Sequence, residues 1–397
     1  MKRPWIVIAC AAFIVTLAMG VRQAFGLFLP QMSVSLGIGR ESFGLAIAIS
    51  NLMFGLAQPF VGALADRHGA GRVVFLGTLL YVAGLAGAAW VGSALGLHLT
   101  LGFMVGIALA GTTFVVVLGA VGRVVPAERR GLAFGIVTAG GSLGQFLVVP
   151  AAAGLLDGLG YRLALIVLAG LVALCAVLAL GVAGRPNSAA AGDEPDQSLG
   201  EALAEAAGHG GFWLLNAGFF VCGFHIAFIA THFPAYLSDK GLGLEIGASA
   251  LALVGLFNIF GSYLFGLSGD FWRQKYVLSG IYAARGLVIA LFLLAPLSAF
   301  SALAFAAALG FLWLGTVPLT SGLVGRIFGI RYLSTLYGIV FLSHQVGSFF
   351  GAWAAGYFYD RNGSYDWAWG ASILLALFAA LVHLPIRDAA LARPRPA

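Results

Sequence analysis

Long apolar runs almost bare of charge recur along the whole chain, and they restrict its fold more than any other feature. A helix needs about 20 apolar residues to cross the hydrocarbon core of a bilayer. Runs of that length lie near residues 5–29, 43–65, 73–93, 97–121, 132–156 and 162–183, and a second series near 212–237, 246–268, 276–296, 299–323, 334–358 and 367–386. Turn-forming clusters separate them, among them Gly37-Ile38-Gly39, Pro126-Ala127-Glu128 and Asn362-Gly363. Charged residues are 9% of the chain and hydrophobic ones 61%, too few polar groups to cover a water-facing surface. In hydrocarbon every backbone N–H and C=O must be paired internally, so such runs have to be helices. The expectation is an all-α membrane protein of twelve transmembrane helices.

The first run follows Lys2 and Arg3 and reads as an uncleaved span, because the apolar pattern continues past Arg22 to Leu29. The formal charge of +6 does not point to nucleic acid, since the basic residues are dispersed. With the N-terminus placed in the cytoplasm, the inner side carries Lys2, Arg3, Arg67, Arg72, Arg123, Arg129, Arg130 and Arg185, then Arg273, Lys275, Arg326, Arg331, Arg387, Arg393 and Arg395. The outer side has Arg40, Arg162, Lys240 and Arg361. This asymmetry predicts a multi-pass protein of the plasma (inner) membrane with both termini cytoplasmic.

The sequence contains no phosphate-binding loop, nucleophile elbow or metal cluster, so neither an enzyme nor an ATP-driven pump is expected, and no cofactor or metal. Cys10, Cys175 and Cys222 sit apart in apolar runs and read as packing residues. A membrane receptor would call for a sizeable extramembrane domain, which the pattern does not provide.

The two series of runs are copies. A shift of 204 residues lays Pro30 on Pro234, Gly37 on Gly241, Gly39 on Gly243, Gly62 on Gly266 and Asp66 on Asp270. A shift of 203 lays Gly135-Ile136-Val137 on Gly338-Ile339-Val340, Gly144 on Gly347, Asp157 on Asp360 and Gly160 on Gly363. Two pseudo-symmetric six-helix bundles, 1–183 and 211–397, are therefore expected, joined by a cytoplasmic linker at 184–210 in which 198–207 can form a short surface helix. Parallel repeats of this kind bind substrate between the halves near the midplane.

The loop Gly62-Ala63-Leu64-Ala65-Asp66-Arg67-His68-Gly69-Ala70-Gly71-Arg72 resembles the signature loop of the major facilitator superfamily. Its copy, Gly266-Leu267-Ser268-Gly269-Asp270, keeps Gly and Asp and has Phe271 where the arginine would be. The resemblance implies a secondary transporter in which Gly62, Asp66, Arg67, Arg72 and Asp270 form a cytoplasmic latch; a merely topogenic basic loop is the alternative. The stretches Arg331-Tyr332-Leu333-Ser334, Gly338-Ile339-Val340 and Gly356-Tyr357-Phe358-Tyr359-Asp360-Arg361-Asn362-Gly363-Ser364-Tyr365 are similar to the monocarboxylate and oxalate/formate porter branch. The chain departs from that branch in the eighth span, where Asn258 and Ser262 stand in the region of the branch's arginine.

A charge inside a span is a functional-site hypothesis by default, and two residues qualify: Arg22 in the first span and Arg285 in the ninth. No Asp or Glu lies deep in any span. An unpaired buried guanidinium is very unfavourable, so a mobile anion is a natural counter-ion; a structural role, bonding carbonyls or Gln23, is the alternative. His225 and His232 share a face of the seventh span, and Arg22 maps by the repeat onto Ile226, beside His225. Either histidine can carry a proton near neutral pH or be a neutral packing residue. His344-Gln345 in the eleventh span and Asn258 complete the substrate-binding candidates; Asn51, Gln58 and Gln145 can bond either substrate or neighbouring helices. The resulting expectation is a monomeric carrier of a small organic anion, a mono- or dicarboxylate, working in the lipid bilayer by proton symport or anion exchange. The alternative is an exporter of hydrophobic drugs or other small molecules, with walls drawn from the 31 Phe.

Overall fold

A computed structural model describes residues 4–125, 130–183, 198–329 and 333–391, and every regular element among them is helical. Among the described residues nine segments are long and apolar enough to cross a membrane: Pro4–Leu36, Ala70–Trp90, Ala94–Leu118, Ile136–Val182, Gly210–Asp239, Leu244–Gly269, Gln274–Leu294, Ala299–Phe328 and Asp366–His383. Two less apolar helices, Arg40–His68 and Leu333–Asn362, have 29 and 30 residues, enough to cross as well. The helix Arg130–Val182 is two spans in one, divided where Gly160 adopts φ 71°. The described residues thus make twelve passes, in the order the apolar runs predict. Large side chains such as Phe60, Leu180, Leu294 and Phe300 stay exposed on the outside of the bundle, as a lipid-facing surface requires.

The repeat is visible in the backbone. Pro30 and Pro234 each lie inside the last turns of the first and seventh spans. Gly37 and Gly241 turn out of those spans with φ of 61° and 83°, the left-handed region a side chain disfavours. Gly39 and Gly243 then cap the following spans with nearly the same dihedrals, φ −69°, ψ 165° and φ −67°, ψ 166°. The fourth span is interrupted at Thr113 (φ −124°, ψ −160°). The tenth breaks in the corresponding region, between Ala299–Phe311 and Thr316–Phe328.

Within each half the first helix lies against the fifth through glycine. A Cβ on Gly144 would stand 2.0 Å from the carbonyl oxygen of Thr16, and one on Gly140 2.7 Å from that of Ala12. In the second half the same contact uses Gly347 and Gly351 against the carbonyls of Phe220 and Phe224, at 1.9 and 2.2 Å, and Gly223 against His344 O. Hydrocarbon does not drive helices together, so backbone contact made possible by small residues has to hold them. The short helix Leu199–Gly208 bears out the expected surface helix, with Ser198 and Glu201 forming a reciprocal capping box. The rest of the proposed linker, 184–197, lies outside the described residues.

Hydrophobic clusters follow the halves. One gathers Tyr282, Trp313, Trp369 and Phe233 in the second half, and another Val15, Val74, Val117 and Cys175 in the first. A third, built from Phe25, Phe28, Phe43 and Tyr81, takes in Ala227, Ala248, Leu251 and Ala352 of the second half and so bridges the two.

These contacts predict that Gly144→Ala and Gly347→Ala each destabilise the purified protein by about 1–3 kcal/mol. Gly170→Ala, where an added Cβ meets nothing within 4 Å, should leave the thermal unfolding midpoint in detergent unchanged.

Candidate functional site

The first span is interrupted just where its charge sits. Helix Pro4–Gln23 ends with Arg22 in its last turn, Ala24 follows, and Phe25–Leu36 continues the span. A cation is favoured at a helix C-terminus, where carbonyls are left without partners. Arg22 Nη2 donates to Asn51 Oδ1 of the second span at 2.5 Å, and the guanidinium lies 5.7 Å from the centroid of Phe54. Asn51 and Phe54 are three residues apart and so share a helix face. No carboxylate among the described residues pairs with Arg22; its partner is a neutral amide.

A cavity of about 20 Å³ lies between the halves at this point, bounded by Arg22, Ser50 and Asn51 on one side and Ile226, Ala230 and Thr231 on the other. It has room for about one water molecule. Ile226, the repeat mate of Arg22, therefore does line the same space. His225 does not: its ring turns away, with Nε2 2.8 Å from Ser372 O of the last span. The expected approach of Arg22 and His225 to one cavity is thus not what the structure places, because one residue along a helix rotates the side chain by about 100°.

Beside Arg22, Gln23 Nε2 donates to Gln145 Oε1 (3.2 Å), and Gln145 Nε2 donates across to Leu251 O of the eighth span (2.8 Å). Asn258 also bridges the halves, donating to Ser142 Oγ at 3.0 Å. Its oxygen accepts from Ser262 Oγ and from Leu314 N in the break of the tenth span. Both ends of that amide are engaged with the protein. On the eleventh span, Gln345 packs against Gly55, His344 Nδ1 donates to Gln345 Oε1 at 3.2 Å, and the imidazole stacks on Phe341 at 5.4 Å. Phe341 in turn meets Phe54 edge-on at 6.2 Å, so an aromatic bridge connects the Arg22 side to the His344 side. Gln345 Nε2 is buried without a partner.

Arg285 is placed elsewhere. It is 1% exposed in the core of the second half. Its Nε and Nη2 both donate to Leu312 O, at 3.0 and 2.6 Å, and Nη2 also to Trp313 O. These are the carbonyls that the interruption of the tenth span leaves free.

Arg40, Arg162, Lys240 and Arg361 were expected only to mark one membrane side, yet two of them build a lock at the end of the bundle opposite the termini. Arg40 forks onto both oxygens of Asp239 at 2.7 and 2.6 Å. The Asp360 carboxylate accepts from the backbone N–H groups of Arg40 and Glu41 at 3.0 and 2.8 Å, capping the second span. Glu41 accepts from Trp353 Nε1 (3.3 Å) and pairs with Arg361 (3.4 Å). Every one of these bonds joins the first half to the second. His232 lies fully buried beneath them, 3.1 Å from Tyr365 Oη. Sequence reasoning missed this lock; its signal was the set of opposite charges in the turns near 40, 240 and 360, of which the first two are repeat-equivalent.

Of the five latch candidates, the side chains of Asp66, Arg67 and Asp270 lie outside the described residues. Arg72 is exposed, and a Cβ on Gly62 would meet Val115 Cγ1 at 3.3 Å.

The family model described as Major Facilitator Superfamily matches residues 8–319. Monocarboxylate transporter 13 of Rattus norvegicus is 27% identical over 96% of this chain and 89% of its own length. The oxalate:formate antiporter of Oxalobacter formigenes is 23% identical over 87% and 83%. Among solved structures, a bacterial homolog of the human lysosomal transporter Spinster, inward-facing and unoccupied, superposes with TM-score 0.76 at 18% identity, covering 97% of this chain and 96% of that one.

The lock yields a direct expectation. With the native cysteines replaced and Ala230→Cys as a probe, Asp239→Asn should raise the rate of modification by a membrane-impermeant maleimide several-fold. An unchanged rate would show that the Arg40–Asp239 pair does not hold this end shut.

Proposed function

The chain belongs to the major facilitator superfamily, and on that premise we propose that it carries a small organic anion, a mono- or dicarboxylate, by alternating access. The observation that carries this reading is Arg22: a guanidinium at the cavity between the halves, on a broken span, held by a neutral amide and not by an acid. A guanidinium fork suits the two oxygens of a carboxylate, and Asn51 can yield one N–H direction to it. Gln345 Nε2 supplies a donor without a partner on the opposite half. The monocarboxylate and oxalate:formate names among the relatives point the same way.

In this reading the excess of basic residues at the terminal side puts both termini in the cytoplasm, and the membrane is the plasma (inner) membrane. The locked end then faces outward, so the structure is closed on the outside. Residues 1–183 and 211–397 are the two rocking bodies. The loop from Gly62 to Arg72, with Asp270, would join them at the cytoplasmic end when the outer lock opens. Coupling is by proton symport or by exchange of one anion for another. Arg285 supports the tenth span and is left out of the binding site, as are His225 and Asn258, whose polar groups are turned to the protein itself.

At an effective dielectric near 20, a unit charge pair at about 4 Å is worth roughly 4 kcal/mol, and half of that exceeds a tenfold change in affinity. In proteoliposomes, Arg22→Gln should therefore reduce uptake of a labelled carboxylate by more than tenfold, while Arg22→Lys, which keeps the charge but loses the fork, should reduce it partly. Uptake of a lipophilic cation alone, indifferent to Arg22→Gln, would overturn the anion reading in favour of a drug exporter. Uptake that accumulates under an imposed pH gradient without internal anion would identify symport.

A further inference from the structure

His232 is the last buried polar side chain below the outer lock, and its hydrogen bonds fix its protonation state. Nε2 lies 2.7 Å from Ala352 O. A carbonyl oxygen only accepts, so Nε2 carries the hydrogen, and in the neutral ring Nδ1 is a bare acceptor. Tyr365 Oη, 3.1 Å away, must donate to it. The same phenol oxygen accepts from Arg40 Nη1 at 2.9 Å, and Arg40 is clamped on Asp239. The result is one chain in which Arg40 donates both to Asp239 and to Tyr365, Tyr365 donates to His232, and His232 donates to Ala352. It crosses from the seventh span to the second and back, and each of its donors meets an acceptor.

A second proton reverses one link of this chain. Imidazolium presents N–H at both nitrogens. The phenol oxygen would then face two donors, Arg40 and His232, and its own hydrogen would lose its acceptor. Space for another arrangement is absent: His232 is 0% exposed, and a Cβ on Gly44 would stand 3.4 Å from Nε2 and 2.4 Å from Ala352 O. The titratable groups on the elements around it are Arg40 and Glu41 of the second span, Tyr236 and Asp239 of the seventh, Tyr359, Asp360 and Arg361 of the eleventh, and Tyr365 and Asp366 at the start of the twelfth. The acids are committed to the lock: Asp239 to Arg40, Asp360 to two backbone N–H groups, Glu41 to Trp353 and Arg361. Asp366 stands beyond Tyr365 and holds no bond to the ring. The element Phe25–Leu36, also packed on the seventh span, contributes no titratable group.

Resting on the alternating-access reading above, we propose that His232 makes the outer gate pH-sensitive: the closed gate accepts only the neutral ring, and a proton on His232 holds the gate open. Protons reach the ring from outside once the lock has parted, and closure requires their release. Closure is therefore complete at alkaline external pH and is lost as the pH falls through the histidine range. His232 is in this view a sensor at the gate and does not travel with the substrate's proton.

The test needs no substrate. Spin labels at Leu95→Cys and Lys240→Cys, both exposed at the outer end of opposite halves, report the opening in lipid nanodiscs, with the native cysteines replaced. Between about pH 8 and about pH 5, which stays above the ordinary carboxylate range, the open-to-closed ratio should rise roughly thirtyfold. His232→Gln, which does not titrate, should remove the response. Tyr365→Phe should weaken it, because neutral Nδ1 then loses its donor in the closed state while the histidine stays in place, which separates the relay from a merely structural histidine. A pH-independent ratio in the parent protein, or a full response in His232→Gln, overturns the proposal. Normal Arg22-dependent carboxylate uptake alongside such a result would leave the transport reading standing, whereas a pH-responsive gate with no Arg22-dependent uptake would leave the gate and remove the anion.

Discussion

The whole structure depends on hydrocarbon's refusal to hydrogen-bond. Backbone groups must pair within their own helix, and polar groups exposed by any interruption of a helix must find a partner in the protein. The tenth span's break has such partners. Arg285 takes the carbonyls of Leu312 and Trp313, and Asn258 takes the N–H of Leu314, so the tenth span can be bent at the cost of a buried guanidinium and a buried amide. The first span's break is different. The guanidinium beside it, Arg22, turns across to Asn51 and lines a cavity. The same chemistry that repairs one helix is left available in another, and that difference separates a structural arginine from a binding candidate.

Association of the helices follows from the same environment. Since apolar side chains gain nothing by leaving lipid for a neighbouring helix, contact is made by backbone against backbone at glycine. The contacts inside a half, Gly144 on Thr16 and Gly347 on Phe220, repeat across the pseudo-axis. Those between halves use the same device, with Gly26 against Ala230 O, Gly44 against Ala352 O and Gly356 against Arg40 O. What distinguishes the interface between halves is the added charge. Ion pairs at its solvent-facing end are individually weak and easily exchanged with water, which suits a contact that, in the alternating-access proposal, parts and re-forms in each cycle.

Period and composition made the twelve passes legible, because span length is fixed by bilayer thickness and the repeat aligned Pro30 with Pro234 and Gly39 with Gly243 before any coordinates. Arg22 was also legible, as a charge in an apolar run. Its partner was not, since Asn51 became a partner only when the second span turned that face inward. His225 shows the limit of reading by repeat: an offset of one residue, negligible in an alignment, sends the ring to Ser372 instead of the cavity. The lock opposite the termini was illegible for a further reason. Asp239, Asp360 and Arg40 come from three turns far apart in sequence, and each taken alone looks like an ordinary solvated charge at a helix end.

The interruptions of the fourth and tenth spans are repeat-equivalent but not mechanically equivalent. In the fourth, Thr112 and Thr113 only fold their hydroxyls back onto carbonyls of their own helix, Ala108 O and Leu109 O. In the tenth, side chains from the eighth and ninth spans are pinned to the break. A torque applied to both halves would therefore meet a hinge in the first and a cross-braced joint in the second. The symmetry inherited from duplication has become a division of labour, with compliance concentrated in the half that carries Arg22.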